Sequence, residues 1–368
     1  MRLTTLAAFV VLGCGSIARG DDVETWVKGA IAKAASIEND ASFKAVYETR
    51  SLQKADLAEI ERLRARVAGK PAHPDRTQLG MLERIERRGE DLRVKSLWWD
   101  RGRFRLSRDP GVEPEGGYFE CVDLGDEGWK MSPQQLTVVG PMDTRPGGHN
   151  VRLSGTSSLQ EIATFWAAGL STLGTSGNVQ VETTPQGVWR AAGTITTSVG
   201  ERRVVVTGRW DQARQAGLVE RTDAYLPTNL TNPIYSSVVT GHQWMDWFGA
   251  FVGTEVVITE NGTPRQRLTL VSLSPLDQAE FRTLIARPKI DGSDPIRGKV
   301  TFTQYVDYRR DTPDLRVANE KGEFEKVDYP DTPAGRRNAT LQTLGWIAAG
   351  GIIATLIALR IRSARPPS

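Results

Sequence analysis

Cysteine and histidine are scarce in this chain of 368 residues: only Cys14 and Cys121, and His73, His149 and His242, occur. Removal of an N-terminal leader would leave Cys121 alone, so no internal disulfide can form. It alternates with Phe119 in a short apolar run and reads as a small buried hydrophobe. The histidines have neither HxxxH nor HExxH spacing, which argues against zinc hydrolysis. GxSxG and GxxxxGK are also missing, and with them the usual marks of a serine nucleophile or a phosphate cradle. His242 and Asp246 stand four apart, a spacing best explained by a histidine satisfied by backbone. Long one-sign charge blocks are lacking too. Lys and Arg number 47 against 44 Asp and Glu, a net +3 with the signs interspersed, which excludes a basic nucleic-acid stripe. The expectation is therefore a non-enzyme with no cofactor, no metal and no nucleic-acid partner.

What is present begins with a leader. Arg2 gives a small positive n-region, Leu3 to Leu12 form an apolar stretch, and small residues follow. This is too short to span a membrane but has the form of a signal peptide over 1–20. Cleavage after Ala18-Arg19-Gly20 would start the mature chain at Asp21. A second reading takes Val11-Leu12-Gly13-Cys14 as a loose lipobox, with Cys14 lipidated.

The second long apolar feature runs from Leu341 to Leu359 without a charge. At 1.5 Å per residue it can cross about 30 Å of hydrocarbon. Trp346 suits an interface, and Arg360, Arg362 and Arg365 in the tail 360–368 should stay cytoplasmic. The sequence thus predicts a single-pass inner-membrane protein with its bulk in the periplasm. A buried core helix and a sorting signal preceded by Tyr329-Pro330-Asp331-Thr332-Pro333 are the other readings of this end.

Between the two, 39% apolar and 25% charged residues suffice for a core, and 36 glycines and 19 prolines separate short apolar runs. That composition predicts many strands joined by turns. Val23, Trp26, Val27, Ile31 and Ala34 share a face of a leading helix over 22–35. Ser42 to Arg50 reads as a strand. Leu57, Ile60, Leu63 and Val67, then Leu79, Leu82 and Ile85, predict a helical hairpin inserted at about 54–88. From Asp91 the period becomes two, and strands are expected through Ser274, with Asn261-Gly262 as a hairpin turn. One of these strands is expected over 234–243. A helix over Leu159–Leu173 interrupts them, with Ser158 and Glu161 as a capping box and Gly174 as its stop.

The leading helix, the strand with Phe43 and Tyr47, the run Gly102-Arg103-Phe104-Arg105-Leu106, and Asp126-Glu127-Gly128-Trp129 together resemble the LolA and LolB type of periplasmic lipoprotein carriers. Ser274-Pro275-Leu276-Asp277 with Phe281 is similar to the segment ending that family's sheet. The resemblance covers roughly 22–290 and implies an α+β, mainly β fold. Its centre would be a large curved antiparallel sheet, a half-barrel, with helices covering a concave face that accepts acyl chains. On that basis 21–310 is a carrier-like extracytoplasmic domain, 311–340 a linker and 341–359 an added anchor.

Ten tryptophans and ten phenylalanines supply candidates for such a face. Phe165 and Trp166 sit on the expected covering helix, and Trp244, Trp247 and Phe248 form a second cluster. Large aromatics more often fill cores, so both meanings stand open for these five. The expected partner is a lipid or lipoprotein acyl chain. The alternative is a periplasmic sensor or scaffold that binds a protein at the inner membrane.

Overall fold

The computed structural model describes residues 20–70, 73–88, 92–108, 119–132, 134–140, 148–198, 200–290, 302–309 and 313–327. The leader up to residue 19, the apolar run 341–359 and the tail 360–368 lie outside them. No helix among the described residues is long and apolar enough to cross a membrane.

The elements run in order α1 (Gly20–Asp40), β1 (Ser42–Ser51), α2 (Leu57–Val67), α3 (Asp75–Arg88), β2 (Leu92–Asp100), β3 (Arg103–Arg108), β4 (Phe119–Asp123), β5 (Gly128–Met131) and β6 (Gln135–Val139). Then come α4 (Gly148–Ala167), α5 (Leu170–Leu173), β7 (Val179–Thr183), β8 (Val188–Thr197), β9 (Gly200–Asp211), β10 (Ala216–Tyr225) and β11 (Tyr235–Thr240). The chain continues through β12 (Gln243–Met245), β13 (Ala250–Val252), β14 (Glu255–Glu260), β15 (Thr263–Pro275), α6 (Gln278–Leu284), β16 (Gln304–Asp307), β17 (Asp314–Ala318) and β18 (Phe324–Lys326). The fold is mainly β, as the turn-rich composition predicts. It divides into two units, residues 1–120 with 153–285, and residues 121–152 with 286–368.

The main sheet of the larger unit has ten strands in the order β3-β2-β1-β15-β14-β11-β10-β9-β8-β7, every neighbouring pair antiparallel. Turn chemistry fixes the register where it is tight. Asn261 and Gly262 both have positive φ, 48° and 76°, as a two-residue hairpin turn requires. One face carries α1, α4 and α5. On β1, Phe43, Ala45, Tyr47 and Thr49 alternate inward, the period-two pattern of a strand buried on one side.

Glycines let helix side chains lie flat on this face. Trp26 of α1 rests on Gly217 of β10, where a Cβ would come within 2.5 Å of its ring, and it meets Trp189 edge-on at 5.4 Å between centroids. Gly155 of α4 accommodates Phe104 of β3 in the same way, with a hypothetical Cβ 2.1 Å from the ring. Phe104 in turn stacks on Trp99, whose indole N–H donates to the Glu38 carbonyl of α1 at 3.0 Å. Phe104 and Trp99 are fully buried, and burial of such a ring contributes roughly 1.5–3 kcal/mol.

The helix expected over 159–173 is longer and broken. It starts at Gly148, with His149 in its first turn, and it ends at Ala167. The break is Gly169, with φ of 81° and Thr222 against the place where a Cβ would stand. α5 then runs Leu170–Leu173. Ser158 and Glu161 are therefore mid-helix and form no capping box. The hairpin α2–α3 does appear where expected, with Asp56 capping α2 by accepting from the Glu59 N–H. It encloses its own core of Ile60, Leu63, Val67 and Leu79.

The smaller unit has the strand order β4-β5-β6-β16-β17-β18. Its β6–β16 pair is parallel, a correction to the expectation of antiparallel pairing throughout. A parallel neighbour needs a long connection, and the long stretch of chain between Val139 and Gln304 hides it from local pattern. β17 and β18 fall within 311–340, the stretch read as linker. Cys121 is buried in β4.

Candidate functional site

All five aromatic candidates fall in the larger unit, and the structure gathers them around one element absent from the sequence expectations. The strand expected over 234–243 stops at Thr240. Gly241 follows with φ of 67°, and a Cβ there would stand 2.0 Å from the Thr254 hydroxyl. The chain then makes a separate two-stranded hairpin, β12–β13, pairing Trp244 with Phe251. The one local signal is composition: glycines at 241, 249 and 253 bracket Trp244, Trp247, Phe248 and Phe251.

In this hairpin Trp244 and Phe251 meet at 5.1 Å, and Arg214 from the β9–β10 turn lies over both rings at 5.5 and 5.7 Å. The Trp244 indole N–H donates to Asp246 at 2.7 Å. The turn is closed by Gly249 N–H donating to the Met245 carbonyl at 2.8 Å. That closure pushes Trp247 and Phe248 to the tip, where Trp247 is 41% exposed.

Phe248 turns back toward the helices. Its ring meets Trp166 of α4 edge to face at 4.9 Å, and Trp166 meets Phe43 of β1 at 6.2 Å. Lys33 of α1 donates to the Phe248 carbonyl at 2.9 Å and sits 4.4 Å from its ring centroid. Burial lowers the Lys33 pKa, since an ammonium loses hydration there. Trp247, Phe248, Trp166 and Phe43 thus form one aromatic line running from solvent to the sheet. Trp166 and Phe248 are half-buried along it.

Phe165 stands apart from that line. It is fully buried, and its carbonyl accepts from the Gly253 N–H at 2.6 Å, tying α4 to the end of the hairpin. The His242 ring nitrogen bonds the Val219 carbonyl at 2.6 Å, a backbone-satisfied histidine. No three His, Cys, Asp or Glu side chains come together as a metal site among the described residues.

A second group, missed in the sequence, pins α4 to the sheet. Glu161 accepts from the Tyr47 hydroxyl and from the Lys95 ammonium, each at 2.7 Å. Burial pushes the Tyr47 pKa well above its ordinary value, and the adjacent Glu161 charge pushes it further. On the opposite face, Arg105 and Glu120 form a buried pair at 2.5 Å. Arg105 and Lys44 lie over Trp98, at 4.3 and 5.2 Å from its rings.

No protein-family model matches the sequence, and no curated protein matches it. Among solved structures, a LolA superfamily protein of Nitrosomonas europaea aligns over 71% of this chain and 97% of its own, at 11% identity and a TM-score of 0.35. A domain of Vibrio parahaemolyticus, described by its outer-membrane lipoprotein-sorting class, aligns over 72% and 99%, at 11% identity and 0.35. A conserved protein of Thermus thermophilus aligns over 77% and 99%, at 10% identity and 0.25.

Proposed function

We propose that the chain is exported, held in the inner membrane by residues 341–359, and binds lipid or lipoprotein acyl chains on its periplasmic side without catalysing a reaction. The sheet in this reading is a half-barrel, and the aromatic line from Trp247 to Phe43 is the entry for the acyl chain. One observation carries it. Trp166, Trp247 and Phe248 form a continuous apolar path that is partly open to solvent, where a closed core would bury such rings completely. An apolar chain laid along it would remove that surface from water at about 25 cal/mol per Å². Tethering would keep a weak binder near its ligand source by raising effective concentration. Native mass spectrometry of the full chain extracted from membranes tests this: co-purifying lipid supports it, and a lipid-free chain opposes it. A reporter fused after Ser368 should be active only in the cytoplasm.

The scaffold reading has its own observation. The α2–α3 hairpin carries a self-contained core and leaves Leu57 and Met81 59% and 60% exposed, surface that a protein partner could cover. A stoichiometric protein partner lost on changing Leu57 and Met81 to Ser would favour it.

A further inference from the structure

We infer that the larger unit holds a second, polar ligand site, for a small phosphate ester, at the β7–β8–β9 end of its sheet. It is a cavity of about 290 Å³ lined by Ser176, Asn178, Gln180, Gly193, Thr194 and Arg203, and it is separate from the aromatic hairpin.

The backbone brings these groups together. Arg203 of β9 pairs in register with Thr194 of β8, and the neighbouring Gly193 pairs with Val179, next to Gln180 on β7. Side chains of directly opposed residues lie about 5 Å apart, so the Arg203 guanidinium and the Thr194 hydroxyl share one patch. The missing side chain of Gly193 matters: a Cβ there would stand 2.6 Å from the Ser176 hydroxyl. The close approach it permits lets the α5–β7 loop fold against the strands and wall the cavity. The Ser176 hydroxyl donates to the Asn178 carbonyl at 3.0 Å and shapes that loop.

The lining decides the ligand class. It contains two carboxamides, hydroxyls and one guanidinium, and no carboxylate. Arg203 is half-buried and has no ion-pair partner among the described residues, although the chain pairs most of its other sheet arginines, such as Arg190 with Glu182 and Arg209 with Glu220. A half-buried guanidinium without a carboxylate favours an anion, and its planar fork matches phosphate oxygens. The amides and hydroxyls beside it suit the remaining oxygens of a polyol ester. A carboxylate-free polar wall would not hold a cation. A phosphoglycerol group has this chemistry, whether free or as a phospholipid headgroup.

The test uses the full chain in phosphatidylcholine nanodiscs, titrated calorimetrically with glycerol 3-phosphate. Wild type should give saturable binding. Arg203→Ala, which removes the charge-assisted bonds, should weaken it by about tenfold or more. Thr194→Trp, a strand-compatible change at an exposed position, should fill the cavity and abolish binding. Thermal transitions of both variants report folding, and retained labelling by a fatty-acid probe separates this site from the acyl site. Discs of phosphatidylglycerol distinguish the sources. Suppressed titration there, with Arg203 protected from phenylglyoxal, identifies the headgroup as ligand, while an unchanged titration identifies the free ester. Absence of binding by wild type, or equal binding by both variants, would overturn the site.

Discussion

Trp166 and Phe248, from elements far apart in the chain, meet edge to face with their ring centroids 4.9 Å apart. Neither ring is fully buried. Phe165, one residue earlier on the same helix, is completely enclosed. Adjacent aromatics in such different surroundings should respond differently to truncation. Phe165→Ala should cost ~3–5 kcal/mol of stability. Trp166→Ala should shift the unfolding free energy by about 1 kcal/mol while lowering uptake of a fluorescent fatty acid. Denaturant titration with parallel probe binding checks both.

The Tyr47–Glu161 hydrogen bond gives a pH prediction. The Tyr47 pKa is raised in the folded state from 10.0, so above about pH 10 the unfolded chain has lost a proton that the native state keeps. Stability from this site is full below about pH 10 and falls as pH rises toward the folded pKa. Tyr47→Phe should cost about 1 kcal/mol at neutral pH and flatten the alkaline loss. Unfolding free energy measured from about pH 8 to 11 reads both effects.

The Arg105–Glu120 pair is almost wholly removed from solvent. Breaking a buried pair leaves one charge uncompensated, which typically costs ~3–5 kcal/mol. Glu120→Gln should lower the melting temperature strongly, and replacing both residues by apolar ones of similar volume should restore much of the loss. A double-mutant cycle on thermal unfolding resolves the two.

Gly155→Ala tests how α4 meets the sheet. The added methyl would enter the space of Phe104, and overpacking of this kind costs ~1–3 kcal/mol. Pairing it with Phe104→Leu should recover part of that loss in the same unfolding assay.

Much of the larger unit was readable from local pattern, for reasons visible in particular elements. β1 alternates buried and half-buried residues along its length, and Asn261-Gly262 takes the turn its sequence requires. α2 matched because Asp56 caps an apolar spacing of three and four. The first half of α4 was hidden because Gly148, Asn150, Ser154, Gly155 and Thr156 are poor helix formers. Packing against Phe104 needs the smallest of them. The capping-box pattern at Ser158 misled because the real partners of Glu161, Tyr47 and Lys95, are far away in sequence. Trp166, Trp247 and Phe248 could be named from aromatic clustering, but their line to Phe43 depends on the β12–β13 hairpin. Short strands around three glycines carry little periodic signal.

Photolabelling tests the central claim most directly. The full chain in native membranes is exposed to a diazirine fatty acid, irradiated and mapped by peptide mass spectrometry. Acyl binding at the aromatic line predicts label on the peptides holding Trp166 and residues 243–252, reduced in Trp166→Ala. Label confined to 341–359, or equal in wild type and Trp166→Ala, would contradict it.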